Sequence, residues 1–433
     1  FSEQTQLKKF ASEAELINFL NSSQQEYYGG ALGGPMMRTA ASLQEGAAPQ
    51  AAGADQGTKS ADDYSTTNIQ VAGVDEADFV KNDGKYIYTL SGENVVITDA
   101  FPAEDMKIIS AINLSGQGPQ EIYVNGDRLV VFGNIYNYEI MPLKEGELTA
   151  ETLPTESAVA ESRIAIWPPR YSFPTTYIKI YDISDRSNPV LSRNVEMNGT
   201  YYDSRMIGDY VYAITNTQPY YFGGGVVIPR FAPGQTAFPD VYYFDVPDYS
   251  YQFTNIFSLN VNDDSGDIKN KVFLLGYSTN MFVSENNIYL VYQKQIKQSY
   301  MMDRVLDEII LPVAPSDVGS KIQDIRGSDK PDYEKNYEIE LLLQEWLQDT
   351  NSEDAQKLYE GFQEKFINIQ QELAKELDKS VIHKISIDNG DINYVTKGEV
   401  PGQPLNQFSM DEHNGYFRIA TTTTNWAAFG GFG

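Results

Sequence analysis

Two turns in this sequence gather side-chain oxygens around a glycine: Asp263-Asp264-Ser265-Gly266-Asp267 and Asp388-Asn389-Gly390-Asp391. The carboxylates of Asp263, Asp264, Asp267, Asp388 and Asp391 are the hard oxygen ligands that Ca²⁺ takes. Neither turn continues into a twelve-residue loop closed by a distal glutamate, so ordinary hairpin reversal accounts for the same residues. Asp75, Glu76 and Asp78 pose the same choice between metal ligation and a solvated or capping role.

His383 and His413 are the two histidines, and cysteine is absent. Neither histidine stands in an HExxH pattern or in a Ser/His/Asp spacing, so zinc hydrolysis and serine nucleophilic catalysis lack their parts. A contact surface is better represented. Trp167 and Tyr171 lie in one aromatic run, Tyr220, Tyr221 and Phe222 in a second, and Tyr242 and Tyr243 in a third. Such rings supply large area at low entropic cost, which suits a protein or glycan partner, and they equally suit packing of loops onto a scaffold. Asn21, Asn113 and Asn198 begin glycosylation sequons.

The surrounding composition narrows the setting. The 433 residues carry 60 Asp and Glu against 32 Lys and Arg, a net charge of −28 that repels nucleic acid and anionic membrane. Without cysteine, no disulfide or thiolate metal site holds the fold, and a hydrophobic fraction of 41% must supply the core. The chain opens on Phe1 with no signal-type segment and no membrane span, which is expected of a processed, exported product.

The elements that must position these residues divide into three stretches. Residues 1–28 are expected to form an amphipathic helix, from the spacing of Leu7, Phe10, Leu16, Ile17 and Leu20. Residues 29–64, rich in Ala, Gly and Ser, read as a flexible linker that leaves this helix tethered rather than fused. From 65 to 433 short alternating strands recur in one order, most clearly over Tyr177–Asn216: strand, polar turn, strand, loop, strand, Gly208-Asp209 turn, strand. Equivalent turns at Gly84, Gly126, Gly208, Asn286 and Gly415 fall 42, 82, 78 and 129 residues apart.

Each long interval holds one insertion at the same connection: 134–176, 216–254 and 293–380. Without them every repeat approaches the ~40–45 residues of a four-stranded propeller blade. The fold class is therefore all-β: a β-propeller of four-stranded antiparallel blades, incomplete in this chain, with a helical insertion and a short N-terminal helix. Insertions at one equivalent connection project from one face, the natural place for a variable binding surface. Within the last insertion, the spacing of Leu342, Leu343, Trp346, Phe362, Phe366, Ile369 and Leu373 predicts a helical hairpin over 337–379.

The stretch Tyr64-Ser65-Thr66-Thr67-Asn68-Ile69-Gln70-Val71-Ala72-Gly73-Val74-Asp75-Glu76-Ala77-Asp78, with Val80-Lys81-Asn82-Asp83-Gly84-Lys85-Tyr86-Ile87-Tyr88 after it, resembles a known family. This family comprises archaeal and bacterial secreted proteins with a C-terminal β-propeller domain distantly related to WD repeats. Pro401-Gly402, Asn406 to Glu412 and Arg418 to Thr422 match the same pattern. The resemblance implies an exported propeller and transfers no catalytic residue. Four repeats and half of a fifth predict an open strand edge, closed by a C-terminal fragment or by a second copy in a homo-oligomer.

The function expected from these observations is that of an extracellular or cell-envelope protein, non-catalytic, binding a protein or glycan through its insertion-rich face and self-assembling. The alternative is a carbohydrate-active hydrolase or lyase using paired carboxylates. Ca²⁺ is the one cofactor that the acidic turns suggest; no nucleic acid is expected.

Overall fold

The structure is a computed structural model that describes residues 7–20, 69–136, 139–140, 170–171, 174–222, 225–227, 238–244, 251–276, 280–296, 298–328, 330, 332–349 and 352–423. Four antiparallel sheets of the expected size follow one another. The first holds Val80–Asn82, Tyr86–Ser91, Asn94–Asp99 and Lys107–Asn113. The second holds Pro119–Asn125, Arg128–Tyr136, Pro174–Asp182 and Val190–Asn198. In the third, Thr200–Ile207, Tyr210–Thr217, Gln252–Asn260 and Lys269–Leu275 pair in sequence order. Asn280–Val283, Asn287–Gln293, Lys379–Asp388 and Asp391–Pro401 make the fourth, and Met410–His413 with Tyr416–Ile419 the fifth, described as two strands.

The sheets stack face to face, which explains why their middle strands read as almost continuous apolar runs. In Leu129-Val130-Val131-Phe132, Leu129 and Val131 enter the core against the first sheet, while Val130 and Phe132 enter the core against the third. Ile288 and Leu290 likewise face the third sheet, and Tyr289 and Val291 the fifth. A strand covered on both faces has no polar side to show. Each sheet's first two strands meet at a tight reversal, as at Gly208, whose φ of +57° is a left-handed turn conformation that glycine adopts without strain.

The repeat seen in the sequence is cut differently in the structure. The unit Tyr177–Asn216 contributes its first two strands to the second sheet and its last two to the third. A periodic sequence has no intrinsic starting point, and the break falls at Gly199, between Val190–Asn198 and Thr200–Ile207. The insertions leave the second, third and fourth sheets between their second and third strands, where the first sheet turns within Ser91–Asn94.

Three sequence expectations need correction. Leu7–Lys9 is a strand rather than helix, and helix begins only at residue 13. The strand joins Val241–Phe244, which runs parallel to Lys269–Leu275, so the third sheet grows to seven strands with Asp75–Glu76 at its far edge. Phe10, Leu16 and Leu20 are buried against Val241, Tyr243 and Phe253, so this terminal piece is docked through its apolar face, not merely tethered. Residues 21–68, including the linker expected at 29–64, lie outside the described residues. The helical hairpin expected over 337–379 is larger: Asp332–Asp349 and Ser352–Leu377 are joined by Gln298–Val305, the wider π-turn of Leu306–Ile310 and Ser316–Arg326. The added helices share two small cores with the predicted pair, one around Ile309 and Ile369, the other around Ile322 and Ile339. Shorter elements with weaker periodicity escape a pattern search.

Candidate functional site

The segment 70–82 runs along the leading strands of all five sheets. Gln70 donates from Nε2 to the carbonyls of Gln407 and Met410 beside the fifth sheet, both at 3.1 Å. Gly73, with φ +81°, passes the fourth: a Cβ there would stand 3.2 Å from Glu285 Oε1. Asp75–Glu76 pairs with Arg205 and Met206 of the third sheet, Asp78 bridges Ile122 of the second, and Val80–Asn82 is itself the leading strand of the first. Apolar side chains three residues apart enter successive cores: Val71 between the fourth and fifth sheets, Val74 between the third and fourth, Ala77 between the second and third. The sequence Gln70-Val71-Ala72-Gly73-Val74-Asp75-Glu76-Ala77-Asp78 is thus explained residue by residue as a lace across the sheets.

A buried ion network accompanies it. Lys81, buried, donates to Asp75 Oδ1 at 2.8 Å and to the Glu76 carbonyl at 2.5 Å. Arg205, also buried, lies 2.6 Å from Asp203 and 3.7 Å from Glu76. The Tyr201 hydroxyl donates to Glu121 Oε2 at 2.6 Å and shares a 2.7 Å bond with Ser204, which bonds Tyr123 at 2.9 Å. Burial raises the carboxyl pKa of Glu121, the Tyr201 hydrogen bond opposing it; burial also raises Asp203 against the pull of Arg205. Two carboxylates with raised pKa resemble an acid–base pair. Here, however, each is already bonded within the protein: Glu121 by Tyr201, Asp203 by Arg205 and the Ser204 N–H. Charged residues in a strand give no periodicity signal of burial, and so Lys81, Glu121, Asp203 and Arg205 are absent from the candidates drawn from sequence.

On the side opposite the insertions, the tight turns clasp neighbouring sheets. Arg186 reaches the Tyr88 hydroxyl at 3.1 Å, the Gly126 carbonyl at 3.0 Å, Asp83 and Asp127. Arg193 donates to the carbonyls of Asp263 and Gly266, and Arg128 lies 3.2 Å from Asp264. Lys269 lies 2.5 Å from Asp391, and the Gly390 N–H donates to the Tyr212 hydroxyl at 2.8 Å. Glu412 of the fifth sheet accepts from Ser284, Asn287 and Tyr289 of the fourth, bonds that hold its carboxyl below its usual pKa against the cost of burial.

The residues proposed as calcium ligands therefore sit in two separate turns. Asp264 and Asp391 each face a cation of another sheet, Asp263 Oδ1 accepts from the Ser265 N–H, and Asp388 accepts from Asn389. Asp267 is exposed beside the first of these turns. Among the described residues no group of three or more His, Asp or Glu comes together to hold a metal. Asp75 and Glu76 belong to the ion network, and Asp78 caps the Phe79 N–H at 2.6 Å.

The aromatic runs are divided. Tyr242 and Tyr243 form a strand, not a contact loop: Tyr243 is 9% exposed and stacks on Phe10 at 3.9 Å, and Tyr242 tilts onto Phe273 at 5.9 Å. The alternation of the strand turns Tyr243 into the N-terminal core, away from any binding face, and leaves Tyr242 half-buried. Tyr220, Tyr221 and Phe222 lie on one strand of a hairpin with Gly225–Val227, and Tyr171 on a short strand paired with Glu139–Ile140. Trp167 and Asn21 lie outside the described residues. Asn113 is exposed and its Oδ1 accepts from the Ser115 N–H, whereas Asn198 is half-buried at the end of its strand. His383 is fully buried, its Nε2 3.2 Å from the Tyr292 hydroxyl and its Nδ1 3.1 Å from that of Tyr394. Burial lowers its pKa to about 3, leaving it neutral. His413 is exposed on the fifth sheet.

A family model described as a beta propeller domain matches residues 64–429. An uncharacterized protein of Methanocaldococcus jannaschii is 27% identical over 368 residues, covering 84% of this chain and 50% of its own. Another, from Archaeoglobus fulgidus, is 26% identical over 373 residues, covering 83% of this chain and 52% of its own. The chain thus spans about half the length of the curated relatives it matches.

Proposed function

Because this chain belongs to the beta propeller domain family, we propose that it is a non-catalytic binding scaffold of the cell exterior or envelope. Its partner is a protein or glycan held at the insertion-bearing face. The observation that carries this reading is the division of labour between the two ends of the sheets. Turns at one end are engaged in clasps such as Arg186 with Asp83 and Asp127, while three insertions leave from the other. Variation on a fixed scaffold is where binding specificity is built.

The same reading includes assembly. Val80 and Ile108 of the first sheet are exposed, and an apolar sheet face of this kind suits a further blade, whether from a C-terminal fragment or a second copy. Among the described residues no helix is long and apolar enough to cross a membrane. Export would expose Asn113 to glycan attachment, and calcium has weaker support because Asp264 and Asp391 already face cations.

The rival, a carbohydrate-cleaving enzyme, draws support from the raised carboxyls of Glu121 and Asp203. One assay separates the two. The chain is incubated with cell-envelope polysaccharides and proteins, and both retention and released reducing ends are measured. Retention without cleavage, lost when 298–377 is replaced by a short turn, is the expected result. Release of sugar that disappears in Glu121→Gln would replace the binding reading with the enzymatic one.

A further inference from the structure

We propose that the outward face of the helix Asp332–Asp349 docks a cationic amphipathic segment of a partner protein; the proposal rests on the binding reading above and names the chemistry of the partner. This helix is apolar on two sides. Ile339, Leu342, Leu343 and Trp346 pack inward with Leu306, Val318 and Ile322. Tyr337 and Leu341, one turn apart on the other side, are 61% and 46% exposed. A surface helix with a single packed face needs a single apolar stripe, so the second stripe marks a second contact.

The charge around that stripe selects the partner. Residues 298–377 carry 18 Asp and Glu against 8 Lys and Arg, more than twice the net negative charge per residue of the rest of the chain. Several of the cations are engaged within the insertion: Arg304 with Glu308 and Glu372, Arg326 with Asp303 and Asp307, Lys330 with Glu338. By helical spacing, Glu340 and Glu345 flank the Tyr337–Leu341 pair on either side. An apolar centre with a carboxylate rim complements lysine and arginine around an apolar ridge, and it repels an acidic ligand. The two internal cores show that the insertion is packed without this face.

The test uses the full chain and a synthetic Lys/Leu amphipathic peptide, with a Glu/Leu peptide of the same spacing as control, in fluorescence anisotropy titrations. Expected is saturable binding of the Lys/Leu peptide alone. It should weaken at least tenfold in the double variant Tyr337→Ser, Leu341→Ser, and stay unchanged in Leu405→Ser, which alters an exposed residue elsewhere. Salt-sensitive binding that ignores the double variant would reduce the effect to general polyanion attraction and overturn the proposal. Equal binding of both peptides would overturn it as well. Either result leaves the wider binding reading standing if envelope retention still requires 298–377; loss of that requirement removes the wider reading instead.

Discussion

Arg186 Nε donates to the Tyr88 hydroxyl at 3.1 Å, joining the second sheet to the first across 98 residues of sequence. Tyr88 in turn donates to Asp83 Oδ2 at 2.8 Å, so one guanidinium organises a hydroxyl and two carboxylates, those of Asp83 and Asp127. Arg186→Met leaves these groups without their cation and should cost about 2–3 kcal/mol. Lys269→Met, which breaks an exposed pair with Asp391, should leave the urea midpoint where it is. Equal losses in the two variants would show that the Arg186 clasp has no special standing.

Acid should act on the fourth sheet through His383. Its pKa is about 3 in the folded chain, against an ordinary value of 6.5. Below pH 6.5 the unfolded chain takes up a proton that the folded one refuses, so stability falls with pH down to about 3, at ~1.4 kcal/mol per unit. His383→Phe removes this component. Urea midpoints of the two proteins, compared at pH 7 and pH 4.5, should converge toward acid; a constant difference would assign the acid sensitivity elsewhere.

Glu121 has the opposite sign. Its folded pKa is raised, so the stability linked to its protonated form is present at acid pH and lost as pH rises through that pKa. Glu121→Gln keeps an oxygen for Tyr201 and removes the buried charge. The variant should be more stable than the parent at pH 7 and equal to it near pH 4, as read by thermal melting. Greater stability of the parent at pH 7 would mean that its carboxylate is held by more than Tyr201.

Thr217 and Thr254, at the insertion end of the third sheet, bury hydroxyls that have no hydrogen-bond partner among the described residues. Thr217→Val and Thr254→Val preserve shape while removing the unsatisfied group, so each should be neutral or stabilising by up to about 1 kcal/mol. A clear loss in either would reveal an ordered water or ligand at that end of the sheet.

The sequence made the repeats legible because turn residues and strand alternation are local. The Gly208-Asp209 turn and the apolar run of Leu129 to Phe132 announce themselves within a few positions. The cut between sheets at Gly199 was hidden, since any phase of a periodic pattern fits equally. The strand Leu7–Lys9 was hidden for a different reason: its residues also satisfy a helical spacing, and its pairing partner lies more than 230 residues away. The candidate site was the least legible part. Arg205 looks like a surface charge until the third sheet brings it beside Glu76, far from it in sequence, and Lys81 until the fold buries it with Asp75.

The lace of residues 70–82 also has a meaning in time. Gln70 leaves the ribosome 340 residues before Met410, the carbonyl it must reach. At about 5–20 residues per second, that is an interval of roughly 20–70 s. Over it the cores that Ala77, Val74 and Val71 enter are completed one after another, the last only once Met410 has been made, so the first-made thread of the propeller is among the last to be tied along its whole length. A nascent chain with so long a delay needs something to hold it, and the interval itself sets how long that help must last.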